Sequence, residues 1–326
     1  MTTVLEYYGF EPVKGEVGIE IEMEGYRLYP EDPMKDWITT GDGSLRGDES
    51  IEYVLRYPVL RKDVSNVLSN LRTTLARNDA ELKPSERCGV HVHINCQTLT
   101  MEQVFDFVTT YIIFEDILTK WCGEGREGNL FCLRNKDAEG LLYALIQAKK
   151  NGDVRHITNN NYRYAAINLT SLRKYGSVEF RALQTPPDFY TIDLWVQLLL
   201  KIFDLSTTHG NPKELVEELS FMGPDNFAAK VFGDLYPHIH FEGIEDSLYD
   251  GVRRAQLLAY TPYAKSRTEN KETLLGMAQQ MVDRADPAPA PADQPEREPG
   301  ANEILLNYIL ENDAEGRLRV VRRPED

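Results

Sequence analysis

Apolar and polar residues alternate along several stretches of the chain with the period of two that a β-strand requires. In residues 16–29, glutamates alternate with isoleucine and methionine. The same alternation returns over 51–60, 88–96, 163–172 and 176–183, and the last two stretches are separated by a short turn that ends in Gly176. We therefore predict five strands, of which the last two form a hairpin.

Apolar residues at helical spacing predict helices between these strands. The predicted helices cover 62–80, 101–121, 137–152 and 189–208. Thr100 and Gln103 have the spacing of a capping box at the start of the second helix, and Gly152 is suited to end the third. The second helix is predicted to be amphipathic, with one apolar face and an acid near its end.

Strands with one polar face, combined with helices that can cover the other face, indicate an α+β fold built on an antiparallel sheet. We predict a main domain over 1–280. A linker rich in Pro and Ala follows over 281–300, because such a segment cannot hold a packed core. The C-terminal tail, 301–326, is predicted to contain one short amphipathic helix, NEILLNYIL.

Composition limits the classes of function. The 326 residues are 42% hydrophobic, which is enough for one large core or two medium ones. The net charge of -16 disfavours a non-specific nucleic-acid surface, since such surfaces are basic. The sequence has no run of about 18 apolar residues and no signal-peptide pattern at its start, so we expect a cytoplasmic protein without a membrane segment. Its four cysteines are expected to be reduced and buried.

The polar face of the predicted sheet carries residues suited to metal and phosphate chemistry. These residues are Glu20, Glu22, Glu24, Glu52, His91, His93, Asn95, Asn168, Glu179 and Arg181. No lysine on the same face compensates the acids, so divalent cations are the expected counter-charge. Mg²⁺ or Mn²⁺ prefers oxygen ligands and keeps waters for substrate phosphates, and an arginine beside a metal carboxylate suits phosphoryl transfer. The pattern predicts a site for ATP with metal ions.

The same residues are also consistent with different roles. The acids alone fit a solvated face, and Glu179 with Arg181 fits a cross-strand ion pair. Cys88, His91 and His93 have the spacing of a zinc site and would suit a metallohydrolase, although alternation points Cys88 to the opposite face unless Gly89 makes a bulge. A catalytically silent binding module is the third possibility. The common phase of the residues on all the strands favours the metal and phosphate interpretation.

Six motifs, in order along the chain, resemble those of the amidoligase family. They are GIEIE at 18–22, DGSLRG with EYVL between 42 and 55, CGVHVHIN at 88–95, YIIFEDIL at 111–118, RYAAINL at 163–169 and GSVEFRALQTP at 176–186. This family is similar to glutamate-cysteine ligase and glutamine synthetase and belongs with the carboxylate-amine ligases. The resemblance covers about residues 15 to 210.

The resemblance implies an ATP-dependent ligase that forms an amide bond through an acyl-phosphate intermediate. It also implies a curved antiparallel sheet of the glutamine synthetase catalytic type, with Mg²⁺ and the nucleotide on its inner face and helices on its outer face. The substrates would be a small-molecule or peptide carboxylate and an amine. Because family members often occur beside glutamine amidotransferases, such a protein is an expected partner.

The family's functional residues map onto this sequence motif by motif. The implied metal ligands are Glu20, Glu22, Glu52, His91 and Glu179. His93 would contact the nucleotide phosphates, Arg181 the transferred phosphoryl group and Arg163 the substrate carboxylate, while Asp42 would orient the amine. In the commoner family form, a serine and a proline soon follow the glutamate that corresponds to Glu52, whereas LRYP follows here. The resemblance assigns no role to Glu24.

Overall fold

The computed structural model describes most of the chain. The described residues are 2–29, 34–41, 43–46, 49–138, 140–186, 188–209, 211–264, 308–312 and 318–322. The chain divides into two compact units, Met1–Asn270 and Lys271–Asp326.

One antiparallel sheet forms the centre of the first unit. Its strands are β1 (Val17–Tyr26), β2 (Trp37–Thr40), β3 (Glu49–Leu55), β4 (Glu81–Lys83), β5 (Gly89–Asn95), β6 (Ile167–Asn168) and β7 (Ser177–Gln184). The strand order is β2-β3-β1-β5-β7-β6, and the short β4 pairs with the end of β1. Every pairing is antiparallel. The strands predicted over 16–29, 51–60, 88–96 and 176–183 are thus confirmed as β1, β3, β5 and β7. These four strands are neighbours in the sheet.

Helices form most of the rest of the described part of this unit. They are α1 (Val4–Tyr8), α2 (Val64–Arg77), α3 (Met101–Trp121), α4 (Leu141–Asn151), α5 (Thr170–Tyr175), α6 (Phe189–His209), α7 (Pro212–Met222), α8 (Pro224–Phe232), α9 (Tyr236–Ile239) and α10 (Ile244–Ala259). The rings of Phe107 and Tyr111 on α3 lie 5.6 and 4.8 Å from the ring of Phe180 on β7. The apolar side chains of the strands therefore pack against α3, and the α+β class is confirmed.

Helix α3 begins at the predicted capping box, in which Thr100 and Gln103 each bond to the other's backbone N–H. The predicted amphipathic character is wrong, because even the polar residues Thr109, Glu115 and Asp116 are buried. Helix α3 is covered by helices α6 and α10 in addition to the sheet. At Gly251 of α10, a Cβ atom would lie 2.1 Å from the carbonyl oxygen of Ile113, so this contact requires glycine. None of the described helices is long and apolar enough to cross a membrane.

The predicted hairpin over 163–183 is only partly correct. Ile167–Asn168 is the part of the first stretch that pairs with β7, and Thr170–Tyr175 is helical. The side-chain oxygen of Asn168 accepts the N–H of Thr170 at 2.9 Å, which turns the chain from strand into helix. Sequence alternation also missed β2 and β4, because strands of four and three residues are too short to show a period.

The second unit contains an antiparallel hairpin of β8 (Tyr308–Asn312) and β9 (Leu318–Arg322). The helix predicted for NEILLNYIL is wrong at residues 308–310, which belong to β8. Strand pairing with β9 satisfies the backbone groups that a helix would have satisfied internally. The linker over 281–300 and the domain boundary at 280 lie outside the described residues.

Candidate active site

The strand register brings the predicted acids and histidines together on the face of the sheet opposite α3. Three cross-strand pairs define the arrangement: Glu22 with Glu52, Glu20 with His91, and His93 with Glu179. Residues opposite each other on one face of an antiparallel pair are close neighbours. The polar residues of β3, β1, β5 and β7 therefore form one continuous row.

A cavity of about 730 Å³ lies over this row. Seven of the predicted site residues line it: Glu20, Glu22, His91, His93, Arg163, Glu179 and Arg181. Glu52 is half-buried beside them and does not line the cavity. Asp42 lies outside the described residues, so its predicted role stays a prediction. The cavity wall also includes residues that sequence reasoning missed, among them Arg46, Arg87, Arg126, Lys174 and Tyr175.

Two groups of side chains within this row could hold a metal ion. Glu20, His93 and Glu179 form one group, and Glu20, Glu52 and His91 form the other. Within each group the ligand atoms all lie within 4.8 Å of one another. Two carboxylates with one imidazole suit a hard cation such as Mg²⁺ or Mn²⁺. The donor chemistry thus fits the predicted metal, with Glu20 shared between both groups.

The two histidines hold Glu20 between them. His91 Nδ1 lies 3.1 Å from one oxygen of Glu20, and His93 Nε2 lies 3.3 Å from the other. The remaining ring nitrogen of His93 is 3.1 Å from the hydroxyl of Ser177. Second partners of this kind fix the orientation of a histidine ring, so both imidazoles are held facing the carboxylate.

Glu22 is fixed by the backbone of the neighbouring strand. One carboxylate oxygen accepts the N–H of Gly89 at 2.8 Å, and the other lies 3.8 Å from His91 Nε2. A Cβ atom at Gly89 would lie 3.2 Å from the Arg126 guanidinium and 3.4 Å from both Glu22 and His91. Glycine at this position therefore leaves room for the carboxylate, which is in neither metal group but adjoins the second one.

Burial and neighbouring charged groups shift the pKa values of the acids in this row in opposite directions. Burial alone would raise the pKa of Glu20, but its hydrogen bonds with His91 and His93 hold that pKa well below the ordinary value. Burial likewise opposes ionisation of Glu179, and the charges of His93 and Arg181 lower its pKa overall. Although burial lowers the pKa of His93, Glu20 and Glu179 together raise it. Glu20 and Glu179 are thus ionised at neutral pH and able to bind a cation.

Arg181 projects from a β-bulge. Val90 pairs with Leu183 and Val92 with Phe180, so Arg181 and Ala182 on β7 both lie opposite a single residue of β5, His91. The Arg181 guanidinium donates to Glu179 and lies 3.5 Å from His91 Nδ1. Its positive charge is therefore held beside residues of both groups that could hold a metal ion.

Arg126 stabilises this bulge from the side. It is only 2% exposed, and its guanidinium donates to the carbonyl oxygens of Ala182 at 2.7 Å and Arg181 at 2.8 Å. Carbonyl groups left over by a bulge need such a partner when they are buried. Arg126 lies in the segment GEGREGN, which has no periodic pattern, so no signal in the sequence could have identified it.

Glu24 also has a contact that the sequence did not predict. One of its carboxylate oxygens accepts the N–H of Arg46 at 2.7 Å. The segment 43–46 contributes Gly43, Ser44 and Arg46 to the cavity wall. Glu24 thus ties the segment 43–46, which belongs to the DGSLRG motif, to β1.

The alternative zinc site is not assembled in the described part of the chain. Both candidate metal groups consist of glutamates and histidines, and neither includes Cys88. Cys88 is buried, and burial is the main cause that raises its pKa to about 12. A thiol must lose its proton to bind zinc, so this environment disfavours Cys88 as a ligand.

A second cavity, of about 500 Å³, adjoins the first. The two cavities share four residues: Glu20, His93, Lys174 and Tyr175. The wall of the second cavity is mainly apolar and includes Ile19, Ile38 and Val54. A ligand with an apolar ring and an anionic chain could therefore reach from the second cavity to the row of acids.

Comparison with known proteins identifies one family. Residues 50–203 match the model of a family described as "Putative amidoligase enzyme". The match confirms the resemblance that the motifs indicated, and it spans His91, His93, Glu179 and Arg181. No curated protein matches the chain.

Proposed function

Because residues 50–203 match the model of a family described as "Putative amidoligase enzyme", we propose that this protein is an ATP-dependent carboxylate-amine ligase. In the proposed reaction, a carboxylate oxygen of the acid substrate attacks the γ-phosphorus of ATP, and the bond from that phosphorus to ADP breaks. The amine nitrogen then attacks the acyl carbon of the resulting acyl phosphate. Phosphate leaves, and one proton of the nitrogen is released as the amide forms.

The observation that carries this proposal is the single row of acids and imidazoles beneath Arg181. Glu20 belongs to both groups that could hold a metal, together with His93 and Glu179 in one and with Glu52 and His91 in the other. In the proposed site these residues hold Mg²⁺, and Glu22 supports His91. Bound Mg²⁺ would neutralise phosphate charge as the phosphoryl group is transferred.

Arg181 is the residue proposed to contact the transferred phosphoryl group. Its guanidinium is held by Glu179, and its Nε lies 3.5 Å from the carbonyl oxygen of Phe131. A donor that is fixed before the reaction needs no reorganisation when charge develops, which is the basis of electrostatic catalysis. His93 is proposed to meet the nucleotide phosphates, because it lies at the junction of the two cavities.

The remaining assignments rest on the family resemblance and on the walls of the two cavities. Arg163 is proposed to bind the acid substrate from the wall of the larger cavity, and Asp42 to orient the amine. The apolar second cavity is suited to the adenine ring. An antiparallel sheet with helices on one face supports the glutamine synthetase type of fold, and a glutamine amidotransferase remains the proposed partner for ammonia supply.

Phosphate release tests the proposed function. The protein is incubated with ATP, Mg²⁺ and a panel of carboxylic acids and amines, and each mixture is analysed by mass. We expect phosphate release only where an acid and an amine are both present, with a product lighter by one water than its two parts. If the protein fails to bind ATP with Mg²⁺, as measured by calorimetry, the proposal is wrong.

A further inference from the structure

One wall of the second, mainly apolar cavity is a segment without helix or strand, residues 10–15, which we name the strap. Phe10, Glu11 and Val13 of the strap line the cavity. Residues 11–14 are exposed on their other side to solvent. An exposed segment with few buried contacts has low local stability, so its position depends on the few bonds that hold it.

Two side-chain amides, at the end of β5 and just after it, hold the strap. Asn95 donates to the carbonyl oxygens of Gly15 at 2.7 Å and Val13 at 3.3 Å. Gln97 accepts the N–H of Val13 at 2.9 Å, and its amide nitrogen donates to the carbonyl oxygen of Tyr175 at 3.3 Å. The two amides therefore link the strap to the sheet and to the end of α5. Asn95 belongs to the polar face predicted from the sequence, and the proposed reaction gives it no role.

The sheet gives the same cavity a floor with room for a flat group. Gly18 on β1 lines the cavity and pairs with His93 on β5. A Cβ atom at Gly18 would lie 3.3 Å from the Cβ of His93, so glycine keeps open a space that a side chain would fill. Ile38 and Val54, which are paired across β2 and β3, continue the floor with apolar side chains. An apolar floor with such a gap, enclosed by the strap, suits a planar ring.

Resting on the proposed function, we propose that the strap holds the base of ATP against this floor and that Asn95 and Gln97 are the residues that position the strap. The phosphate chain would leave the second cavity at His93 and Lys174, which line both cavities. Loss of either amide would leave main-chain groups of the strap without their partners, so the strap would shift away from the ring and not from the phosphates. The strap therefore selects a ring-bearing nucleotide over a bare polyphosphate.

A comparison of ATP with inorganic tripolyphosphate tests this proposal. Tripolyphosphate carries three phosphates but neither ring nor ribose. Each ligand is titrated with Mg²⁺ into the full-length protein in a calorimeter. We expect the wild type to bind ATP roughly tenfold or more tightly than tripolyphosphate, because only ATP buries an apolar ring. Equal affinities would overturn the role of the strap and leave the phosphate site of the proposed function intact.

The variants Asn95→Leu and Gln97→Leu locate the effect, since leucine is of similar size and makes no hydrogen bond. Each should weaken ATP binding about threefold or more and leave tripolyphosphate binding unchanged, so that the ratio of the two affinities falls toward one. Asn226→Leu is the matched control, because Asn226 also donates to a main-chain carbonyl oxygen, that of Met222 at 3.2 Å, and lines neither cavity. A ratio that stays unchanged in both strap variants contradicts the proposal.

Cleavage after Lys14, the only lysine of the strap, gives a test that needs no variant. The wild type is treated with endoproteinase Lys-C, and the release of residues 1–14 is followed by mass. We expect ATP with Mg²⁺ to slow this cleavage several-fold and tripolyphosphate with Mg²⁺ to leave it unchanged, because only the ring stabilises the strap in place. Equal protection by both ligands, or by neither, overturns the proposal. Protection by ATP alone supports it even if no mixture of acid and amine releases phosphate, in which case the proposed ligase activity alone is wrong.

Discussion

Two clusters of wholly or partly buried acids in this protein differ in the cations that they contact. The first is the row of Glu20, Glu22, Glu52 and Glu179 over the sheet, and the second lies on α3. The second, which we name the α3 cluster, consists of Glu115, Asp116 and the three cations Arg254, Lys136 and Arg134, which lie 2.5 to 3.7 Å from Asp116. None of these α3-cluster residues lines either the larger cavity or the apolar one beside it.

The difference between the clusters is the kind of cation that each one holds. Asp116 is neutralised by guanidinium and ammonium groups, which stay charged at any physiological pH. Glu20 is held by two imidazoles, which can lose their protons and bind a metal instead. Burial of carboxylates is therefore a poor sign of a site by itself. A site is indicated where the counter-charges can be replaced and a cavity gives access to them.

The largest effect is expected for the variant Glu179→Gln, which tests whether the row of acids is a metal site. Glutamine keeps the volume of the side chain but removes the charge of a metal-group residue beside Arg181. We expect a loss of phosphate release of about a thousandfold or more, equivalent to roughly 4 kcal/mol of transition-state stabilisation. The far-ultraviolet circular dichroism spectrum should not change.

The exposed Glu81 on β4 provides the control for this variant. Glu81→Gln removes the same charge away from the cavity and should keep full activity. Mg²⁺ should raise the melting temperature of the wild type and of Glu81→Gln by more than that of Glu179→Gln, which keeps only the group of Glu20, Glu52 and His91. Turnover that survives in Glu179→Gln would remove this residue from the mechanism.

The second prediction concerns Asp116→Asn in the α3 cluster. This change leaves three cations without their buried acid, and breaking a buried ion pair costs about 3 to 5 kcal/mol. We expect that loss in the free energy of unfolding, measured by urea denaturation. The stabilisation by Mg²⁺ should be as large as in the wild type. If Asp116→Asn instead abolishes the Mg²⁺ effect and leaves stability unchanged, the two clusters have been assigned the wrong way round.

The contrast between the clusters also explains how far the sequence could predict this structure. Alternation placed Glu20, Glu22, His91, His93 and Glu179 on one face, and the strand register confirms it, because period two is a local property of each strand. The spacing of apolar residues in α3 predicted an amphipathic helix and so did not predict that its acids are buried. Burial of Glu115 and Asp116 depends on α10, which packs against α3 from more than a hundred residues further along the chain, and no local pattern reports such a contact.

Loop residues of the site were beyond sequence reasoning for a related reason. Arg126 contacts the β-bulge by donating to main-chain carbonyl oxygens. Every residue has such a group, so the sequence does not mark these acceptors. Arg87 and Phe131 meet only because two separate loops border the same cavity. Arg163 was identified by family resemblance and not by physical pattern. The residues on the strands were therefore predictable, whereas the loop residues of the cavity wall needed the three-dimensional structure.

The smallest expected effect concerns pH and Glu115, the other acid of the α3 cluster. Burial is the main cause that raises its pKa from 4.5 to about 8, although its carboxylate accepts the N–H of Asn135 at 2.8 Å. Below pH 4.5 Glu115 is protonated in both the folded and the unfolded chain, so it does not make the free energy of unfolding depend on pH. Between pH 4.5 and 8 only the unfolded chain loses this proton, and this contribution to stability falls as pH rises, levelling off above 8.

Glu115→Gln should remove this loss, since glutamine is neutral at every pH. From pH 5 to 8, the stability of the variant relative to the wild type should rise on the order of 3 kcal/mol, as measured by urea denaturation at several pH values. Asp106→Asn is the matched control: burial raises the pKa of Asp106 only to about 6, so its effect should end near that pH. A wild-type slope between pH 6 and 8 that persists in Glu115→Gln would mean that Glu115 is ionised in the folded protein, and the α3 cluster would then resemble the active-site row in carrying negative charge that its own cations must offset.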